Sequence, residues 1–287
     1  PGLSNSILYF YDLNVKANYR ISKKDRIFVS GYLGRDEFGS DDVFGLDYGN
    51  ITGTVRWNHV FNSKLFSNTS IIYSDYDYEF SFGLDDDRIA LQSVVNDINL
   101  KQDFTLFASS KHTLKFGLNA IHHTIEPGNL SAGANTGISS SEAEKKYGLE
   151  GAIYAQDEFK VNSRLNVNFG LRYSLFQQIG PGTVYTFNAG GDVIAEDSYA
   201  DFEGIQYYGG WEPRLAINYL LNEESSIKLG YNRNYQYLHM LTNNTSSTPT
   251  DTWIMSSNNV KPQIADQVSL GYFRNFKDNM FETSLEA

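Results

Sequence analysis

AIYAQDEFKVNSRLNVNFGLRYSLFQQ, residues 152–178, contains two stretches of alternating polar and apolar residues joined by Val-Asn-Ser-Arg. In the second stretch, one parity is apolar: Leu165, Val167, Phe169, Leu171, Tyr173 and Leu175. The other parity is polar or small: Asn166, Asn168, Gly170, Arg172 and Ser174. A period of two over about ten positions predicts a β-strand with one apolar face and one polar face. Such a strand is about twice the usual globular length of about five or six residues.

The composition of the 287 residues excludes several classes of protein. The chain has no run of about 18 apolar residues, so it has no transmembrane helix. It has no cysteine, which excludes disulfides and thiolate metal sites. Its net charge of -11 argues against nucleic acid as a partner. Aromatic residues reach 15%, mostly tyrosine and phenylalanine.

The same alternation recurs along the chain and predicts about twelve strands in up-and-down order. Two kinds of connection take turns between them. The short connections are polar turns at 22–26, 62–64, 109–112, 162–164, 222–225 and 277–279. Their residues hydrogen-bond their own backbone. The long connections are rich in Gly, Ser, Asn, Thr and Asp, and we expect loops at 36–47, 83–92, 127–147, 179–210 and 239–262.

Short turns at one end and long loops at the other are typical of an outer-membrane β-barrel. Strands of about 12–16 residues fit this fold, since about 9–11 tilted residues cross the hydrocarbon layer. Aromatic residues near strand ends, such as Tyr73, Tyr76 and Tyr235, suggest interface girdles, although tyrosine also favours strands in general. Glycines on the polar parity (Gly117, Gly170, Gly230 and Gly271) suit a crowded inner wall. A soluble all-β protein is the alternative, and the one-sided long loops argue against it.

Three segments make the chain resemble the TonB-dependent outer-membrane receptors, and the likeness is to the members of this family from Bacteroidetes. They are IYAQDEFKVNSRLNVNFGLRYS, the run WEPRLAINYLLNEESSIKLGYNRNYQYLHMLTNN (211–244), and VKPQIADQVSLGYFRNFKDNMFETSLEA (260–287). The likeness is specific over about 145–287, whereas residues 1–144 match only in architecture. These are barrel motifs and do not identify a ligand.

The resemblance implies a barrel of 22 strands plugged by an N-terminal globular domain. Residues 1–287 would then be part of a single barrel domain, with the plug expected upstream of Pro1 and about ten more strands after Ala287. The family's partners would be outer-membrane lipid, the TonB complex through the N-terminal region, and a small solute. A surface lipoprotein is a further candidate partner.

Long loops tend to bind or gate, so we expect solute contacts there. The aromatic and histidine residues predicted as ligand-binding are Tyr207, Tyr208, Trp211, His239 and Trp253. Cations on the polar parity are predicted to face the lumen: Arg56, Arg172, Arg214 and Lys228. These cations could hold an anionic ligand or the plug, but a charged lumen wall is general in such barrels and is the interpretation favoured here.

Two groups of residues raise the question of a metal site, and neither predicts one. His122 and His123 are adjacent, and adjacent strand residues point to opposite faces, so with Glu126 they do not easily share an ion. Asp85, Asp86 and Asp87 follow other acidic residues, but their spacing is not that of an EF-hand loop. We expect no metal site and no cofactor.

No nucleophile elbow, zinc-protease motif or phosphate loop is present, so we expect no enzyme activity. An outer-membrane hydrolase is therefore disfavoured. We expect a TonB-dependent transporter in the outer membrane of a Gram-negative bacterium. Its solute would be a ferric siderophore, cobalamin, an oligosaccharide or a peptide. The alternative is a passive porin or a surface adhesin.

Overall fold

The computed structural model describes residues 6–40, 44–241, 252–278 and 280–287. The main sheet is built from β1 (Ser6–Arg20), β2 (Asp25–Ser40), β3 (Phe44–Val60), β4 (Leu65–Phe82), β5 (Ile89–Phe107), β6 (His112–Ala132), β8 (Lys146–Lys160), β9 (Leu165–Ile179), β12 (Gly204–Leu220), β13 (Ser225–Gln236), β16 (Gln263–Phe276) and β17 (Phe281–Glu286). The connections contain the shorter strands β7 (Ser141–Glu142), β10 (Gly182–Phe187), β11 (Val193–Tyr199), β14 (Leu238–Leu241) and β15 (Thr252–Met255), and a 3-10 helix, Asp85–Asp87.

The strands of the main sheet pair in an antiparallel, up-and-down path, in the order β1-β2-β3-β4-β5-β6-β8-β9-β12-β13-β16-β17. This path confirms the predicted count of about twelve strands, and β7 adds a short strand beside β6. Two small separate sheets are formed by the hairpins β10–β11 and β14–β15. No helix in the described part of the chain is long and apolar enough to cross a bilayer.

The tight turns at one end of the sheet share one hydrogen-bonding pattern. The fully described ones are residues 21–24, 61–64, 108–111, 161–164 and 221–224. In the fourth, Asn162 Oδ1 accepts hydrogen bonds from the backbone N–H groups of Arg164 (2.8 Å) and Leu165 (3.0 Å). The second residue of three other turns accepts in the same way: Ser22, Asn62 and Ser109. In the last turn, Asn222 Oδ1 accepts from the backbone N–H of Glu224 and from the hydroxyl of Ser225. The predicted turn chemistry is confirmed.

At the opposite end the strands run further than the sequence predicts. Residues 36–47 are predicted as a loop, but β2 continues to Ser40 and β3 begins at Phe44, with 41–43 outside the described residues. Likewise β5 begins inside the predicted loop 83–92, and β6 extends into the predicted loop 127–147. These boundaries are wrong because residues of low strand propensity are held by ladder pairing, as where Gly39 pairs with Gly45.

Two of the predicted loops contain hairpins. The segment 179–210 holds β10 and β11, and β12 already begins at Gly204. The segment 239–262 holds most of β14 and all of β15, while residues 242–251 lie outside the described part. A loop composition thus conceals short paired strands, because a hairpin of this kind is stabilised by what it packs against.

Residues directly opposite each other in an antiparallel ladder share a face of the sheet. Leu171 lies opposite Ala155 and Pro213, and this face carries exposed apolar side chains such as Ile153 and Phe169. The other face carries Arg172, which lies opposite Tyr154 and Glu212. We call the first the outer face and the second the inner face, since large buried side chains project from the second: Tyr78, Ile125 and Phe176.

Aromatic rings form contacting rows on the outer face near both ends of the strands. Near the tight turns the row contains Trp57, His59, Phe61, Phe104 and Phe116, with neighbouring ring centroids 4.5–6.4 Å apart. Near the other end, Tyr173 contacts Trp211 at 4.8 Å, and its hydroxyl lies 3.0 Å from that of Tyr207. This arrangement is typical of interface girdles.

Candidate functional site

A row of alternating charges crosses the inner face from β5 to β12. At its β5 end, Asp97 Oδ1 lies 2.7 Å from Nδ1 of His123 on β6. The second ring nitrogen of His123 lies 3.7 Å from Glu150 Oε2 on β8. His123 is buried, so its imidazole is fixed between two carboxylates on neighbouring strands.

The row continues through two arginines. Arg172 Nη2 lies 3.8 Å from Glu150 Oε1, and Arg172 Nε lies 3.6 Å from Glu212 Oε2. Arg214 Nη2 donates to the same Glu212 oxygen at 3.4 Å and to Asn234 Oδ1 at 3.3 Å. Glu150, Arg172 and Glu212 each lie near an opposite charge on an adjacent strand, whereas Arg214 pairs with Glu212 within β12. Such pairing lowers the cost of removing these charges from water.

A polar cavity of about 380 Å³ lies beside this row and is lined in part by Arg172, Arg214 and Lys101. Further polar groups in this cavity are also paired. Tyr154 donates to Asp103, and Lys101 Nζ lies 3.4 Å from the same carboxylate. A Cβ on Gly117 would overlap the backbone carbonyl oxygen of Gln102 and would lie 2.7 Å from the Tyr154 hydroxyl oxygen. Glycine is therefore required at position 117 by this close approach.

The hairpin β14–β15 folds back onto the inner face at the end away from the tight turns. Met255 packs with Ile125 of β6, Phe176 of β9 and Tyr237 in one buried cluster. The Phe176 and Tyr237 rings stack at 5.2 Å, and the Tyr237 hydroxyl lies 2.9 Å from Ser174 Oγ. This packing holds the hairpin against the wall rather than leaving it in solvent.

Polar contacts hold the same hairpin in register. His239 Nε2 lies 2.9 Å from Ser256 Oγ, and both residues are buried. Tyr208 on β12 donates from its hydroxyl to the carbonyl of Ser257 at 2.7 Å. Burial lowers the pKa of His239 below its usual value, because burial disfavours the protonated ring.

The hairpin β10–β11 lies across from β14–β15 and is attached at two points. The backbone N–H of Thr183 donates to Glu144 Oε1 at 2.9 Å. Asn258 and Asn259 both donate side-chain N–H groups to the carbonyl of Tyr185, at 3.3 and 3.2 Å. The two hairpins and the ends of β6, β8 and β9 enclose a largely apolar cavity of about 270 Å³, called here the rim cavity.

The structure divides the predicted ligand-binding residues into two groups. Tyr208, His239 and Trp253 lie at the rim, and Trp253 lines the rim cavity. Tyr207 and Trp211 lie within β12 rather than in a loop, exposed on the outer face beside Tyr173. Their loop position is wrong because β12 begins earlier than composition suggests. The ligand-binding role of all five stays a prediction.

The predicted lumen-facing cations all lie on the inner face. Arg172 and Arg214 belong to the charge row. Lys228 lies over the ring of Phe273, with Nζ 4.1 Å from the centroid. Arg56 lines a separate cavity with Lys16 and Phe28. Their role toward a ligand or a plug is not tested by this placement.

The residues weighed as metal ligands lie apart or have other partners. His122 points to the outer face, near Tyr147 and Phe202, while His123 lies in the charge row. Glu126 lies 2.5 Å from Nζ of Lys145, which raises the pKa of that lysine. Asp85, Asp86 and Asp87 form the 3-10 helix. Among the described residues, no group of three His, Cys, Asp or Glu side chains is placed to hold a metal.

Sequence reasoning missed three residues that the geometry singles out. Glu150 and Glu212 connect the charge row. Both lie on the polar parity of their strands, β8 and β12, so the sequence could have predicted that they face the same side as Arg172. Gln178 lines the rim cavity and is buried, with no hydrogen-bond partner for Oε1. Its neighbour Gln177 has the same side chain, so only the parity of β9 distinguishes them.

The fold of the chain is similar to that of several solved β-barrel structures. The chain is similar to the ferric citrate transporter FecA in its unliganded form (TM-score 0.68, 12% identity, covering 99% of this chain and 43% of that one). It is similar to the hemophore receptor HasR of Serratia marcescens, in complex with its hemophore HasA and heme (0.67, 11%, 97% and 45%). It also resembles BauA, the ferric preacinetobactin receptor of Acinetobacter baumannii (0.64, 12%, 96% and 46%).

The chain spans less than half the length of these three proteins. At such identities the likeness shows the fold, which is a partial barrel wall. No curated protein matches the sequence. A family model described as TonB dependent receptor-like, beta-barrel, matches residues 3–287. The chain therefore belongs to the family of TonB-dependent receptor-like β-barrels.

Proposed function

We propose that this chain forms part of the barrel of an outer-membrane transporter in a Gram-negative bacterium, and that the transporter imports a scarce solute with energy delivered through TonB. The observation that carries the proposal is that the two ends of the sheet differ. In a chain of this family, two hairpins fold toward the inner face at one end, and tight turns occupy the other. Residues 1–287 are proposed to belong to a single barrel domain, and the Bacteroidetes type stays a prediction.

In this proposal the solute binds first at the rim, to the hairpins β10–β11 and β14–β15. It then passes along the inner face, where the charge row contacts either the solute or a plug domain encoded upstream. No bond is made or broken. The candidate solutes are ferric siderophores, cobalamin, oligosaccharides and peptides. The similar structures named above are a ferric citrate transporter, a hemophore receptor in complex with its hemophore and heme, and a ferric preacinetobactin receptor, and they support a metal chelate among these candidates.

The test is accumulation of solutes in the periplasm of the native bacterium. Wild-type cells are compared with cells that lack this gene and with cells that lack TonB, by mass spectrometry of the periplasmic fraction. We expect at least one medium component to be lost in both mutants. Accumulation that needs the gene but not TonB would indicate a passive porin. No difference for any solute would indicate an adhesin, and either result overturns the proposal.

A second variant tests whether the rim is the entry site. Residues 238–255 are replaced by a short Gly-Ser linker, which removes β14 and β15 and leaves the paired strands of the main sheet. We expect the barrel to assemble, as judged by heat-dependent migration on gels, and uptake of the solute to fall at least tenfold. Unchanged uptake by the assembled variant contradicts binding at this hairpin.

A further inference from the structure

The rim cavity has the size and shape of a small-molecule site. Its volume of about 270 Å³ exceeds the roughly 150 Å³ of an engineered apolar cavity that binds benzene. A group of one or two aromatic rings would therefore fit. The walls come from separate parts of the chain: the two hairpins and the ends of the three strands β6, β8 and β9.

The lining of the cavity is apolar and aromatic. Trp253 and Met255 come from β15, Tyr185 and Phe187 from β10, and Ile125 from β6. Aromatic rings on two opposing hairpins favour a planar ligand, which can stack on one ring and contact the edge of another. Ligand sites in proteins commonly combine such a lining with few polar groups that fix the orientation.

One polar group on the cavity wall has no partner. Gln178 is only 4% exposed, and its Oε1 atom is buried without a hydrogen bond. A buried acceptor without a donor is unfavourable, because its hydrogen bonds to water are lost and not replaced. A small rotation of the Gln178 side chain would turn this oxygen to the cavity, and a ligand that brings an N–H or O–H group to it would then remove that penalty.

The cavity offers no free charge to a ligand. Among the described residues that line it, Lys146 is the charged one. Its ammonium group lies 2.5 Å from Glu144 Oε2 and donates to the carbonyl of Thr183. Its charge is thus paired before a ligand arrives, which favours an uncharged ligand group.

We propose that the rim cavity binds an uncharged aromatic group of one or two rings whose N–H or O–H donates to Gln178 Oε1. We also propose that the imported solute carries such a group, and this second part rests on the proposed function. The bonds from Asn258 and Asn259 to Tyr185 keep the two hairpins together around the ligand.

The test uses the full-length protein in detergent micelles and two probes that differ by one donor. Indole has two fused rings and one N–H, whereas 1-methylindole has the same rings and no donor. Calorimetric titration is expected to show binding of indole at least fivefold tighter than binding of 1-methylindole. Equal affinities, or no binding of indole, would overturn the proposal.

Two glutamine variants localise the effect. Gln178→Leu removes the acceptor, so the preference for indole should disappear while both probes still bind. Gln177→Leu is the matched control, because Gln177 lies on the opposite face of β9, and it should keep the preference. Loss of the preference in both variants, or in neither, contradicts the assignment. Trp253→Ala should weaken both probes, and heat-dependent gel migration establishes that each variant is assembled.

The binding result and the uptake result can be separated. If indole binds with the expected preference but the protein imports no solute, the binding site is supported and the transporter function is contradicted. If uptake depends on TonB but indole does not bind, the transporter function is supported and this binding site is contradicted. A solute found in the periplasmic comparison that lacks an aromatic N–H or O–H group contradicts the second part of the proposal.

Discussion

Glu212 lies between two arginines on the inner face of β12 and is only 4% exposed. A carboxylate in this position needs its partners, because an unpaired buried charge is strongly unfavourable. Arg172 is the partner that also reaches Glu150. Its guanidinium group therefore links two acidic residues from different strands, and its removal would leave the two carboxylates facing each other.

We expect Arg172→Met to lower the free energy of unfolding by about 2–4 kcal/mol, since breaking a buried pair costs about 3–5 kcal/mol and this arginine is partly exposed. The measurement is urea unfolding of the full-length protein in micelles. Arg56→Met is the control, because Arg56 is an exposed inner-face cation with no ion pair described. We expect its effect to stay within about 0.5 kcal/mol. Similar values for both variants would show that the row adds no stability.

We expect His239 to make the attachment of β14–β15 dependent on pH. Burial lowers its pKa in the attached hairpin, so the attached state binds fewer protons than the detached one. Attachment is at full strength above the unperturbed histidine pKa of about 6.5 and weakens as the pH falls below it. We expect proteolysis within the hairpin to accelerate between pH 7.5 and pH 5 when rates are corrected for protease activity.

The control for this pH effect is His239→Gln, which cannot take up a proton in this range. Its proteolysis should have the same rate at both pH values after the same correction. A variant that retains the full pH dependence would assign the effect to another group, and the prediction for His239 would be wrong.

At the scale of single residues, the sequence predicts which side chains share a face but not what they touch. Arg172 and Arg214 follow from the parity of their strands, and both lie on the inner face. The unpaired acceptor of Gln178 could not be predicted, because it depends on hairpins that come from 182–199 and 238–255. Contacts of that kind are set by tertiary packing and leave no period in the sequence.

Among the elements, the tight turns are the most strongly encoded. Asn162 closes its turn with two side-chain to backbone hydrogen bonds, each contributing about 1 kcal/mol. We expect Asn162→Ala to lower the free energy of unfolding by about 1–2 kcal/mol in urea. Ser163→Ala, in the same turn and with no side-chain bond described there, should change it by less than about 0.5 kcal/mol. Equal effects would mean that the side-chain bonds are not what fixes the turn.

The long connections show where prediction of elements fails. Strand β9 can be predicted because residues 165–175 keep a period of two, and β13 because Ile227, Leu229, Tyr231 and Tyr235 share one parity. β10, β11, β14 and β15 are short, and their residues resemble loop residues in composition. They form strands because Met255 and Tyr237 pack on Phe176 and because asparagines bridge the hairpins. Their stability comes from the wall behind them.

At the scale of the whole molecule, the distance between aromatic residues near the two ends of β12 fits a bilayer. Tyr207 and Tyr219 lie on the outer face of β12, about 40 Å apart along the strand at about 3.3 Å per residue. A strand tilted by about 45° covers about 28 Å of that along the membrane normal. The apolar band of outer-membrane barrels is about 25 Å tall. The exposed apolar side chains along this span therefore have the height that the proposed lipid-facing surface requires.

Leu171 lies near the middle of this surface on β9 and tests which face meets lipid. We expect Leu171→Arg to destabilise the barrel by about 2–4 kcal/mol in lipid vesicles, because a charge near the bilayer midplane loses its hydration. Asn168→Arg places the same side chain on the inner face of the same strand, where water remains, and should cost less than about 1 kcal/mol.

The measurement is unfolding by guanidinium in vesicles, followed by tryptophan fluorescence. If Asn168→Arg proved the more costly variant, the two faces would be exchanged, and the charge row would then face lipid. If neither substitution had an effect, this part of the sheet would not cross the bilayer. We expect Leu171→Arg to be the more costly of the two. That result would place Leu171 in lipid and Arg172, its neighbour on the other face, in water beside the path proposed for the solute.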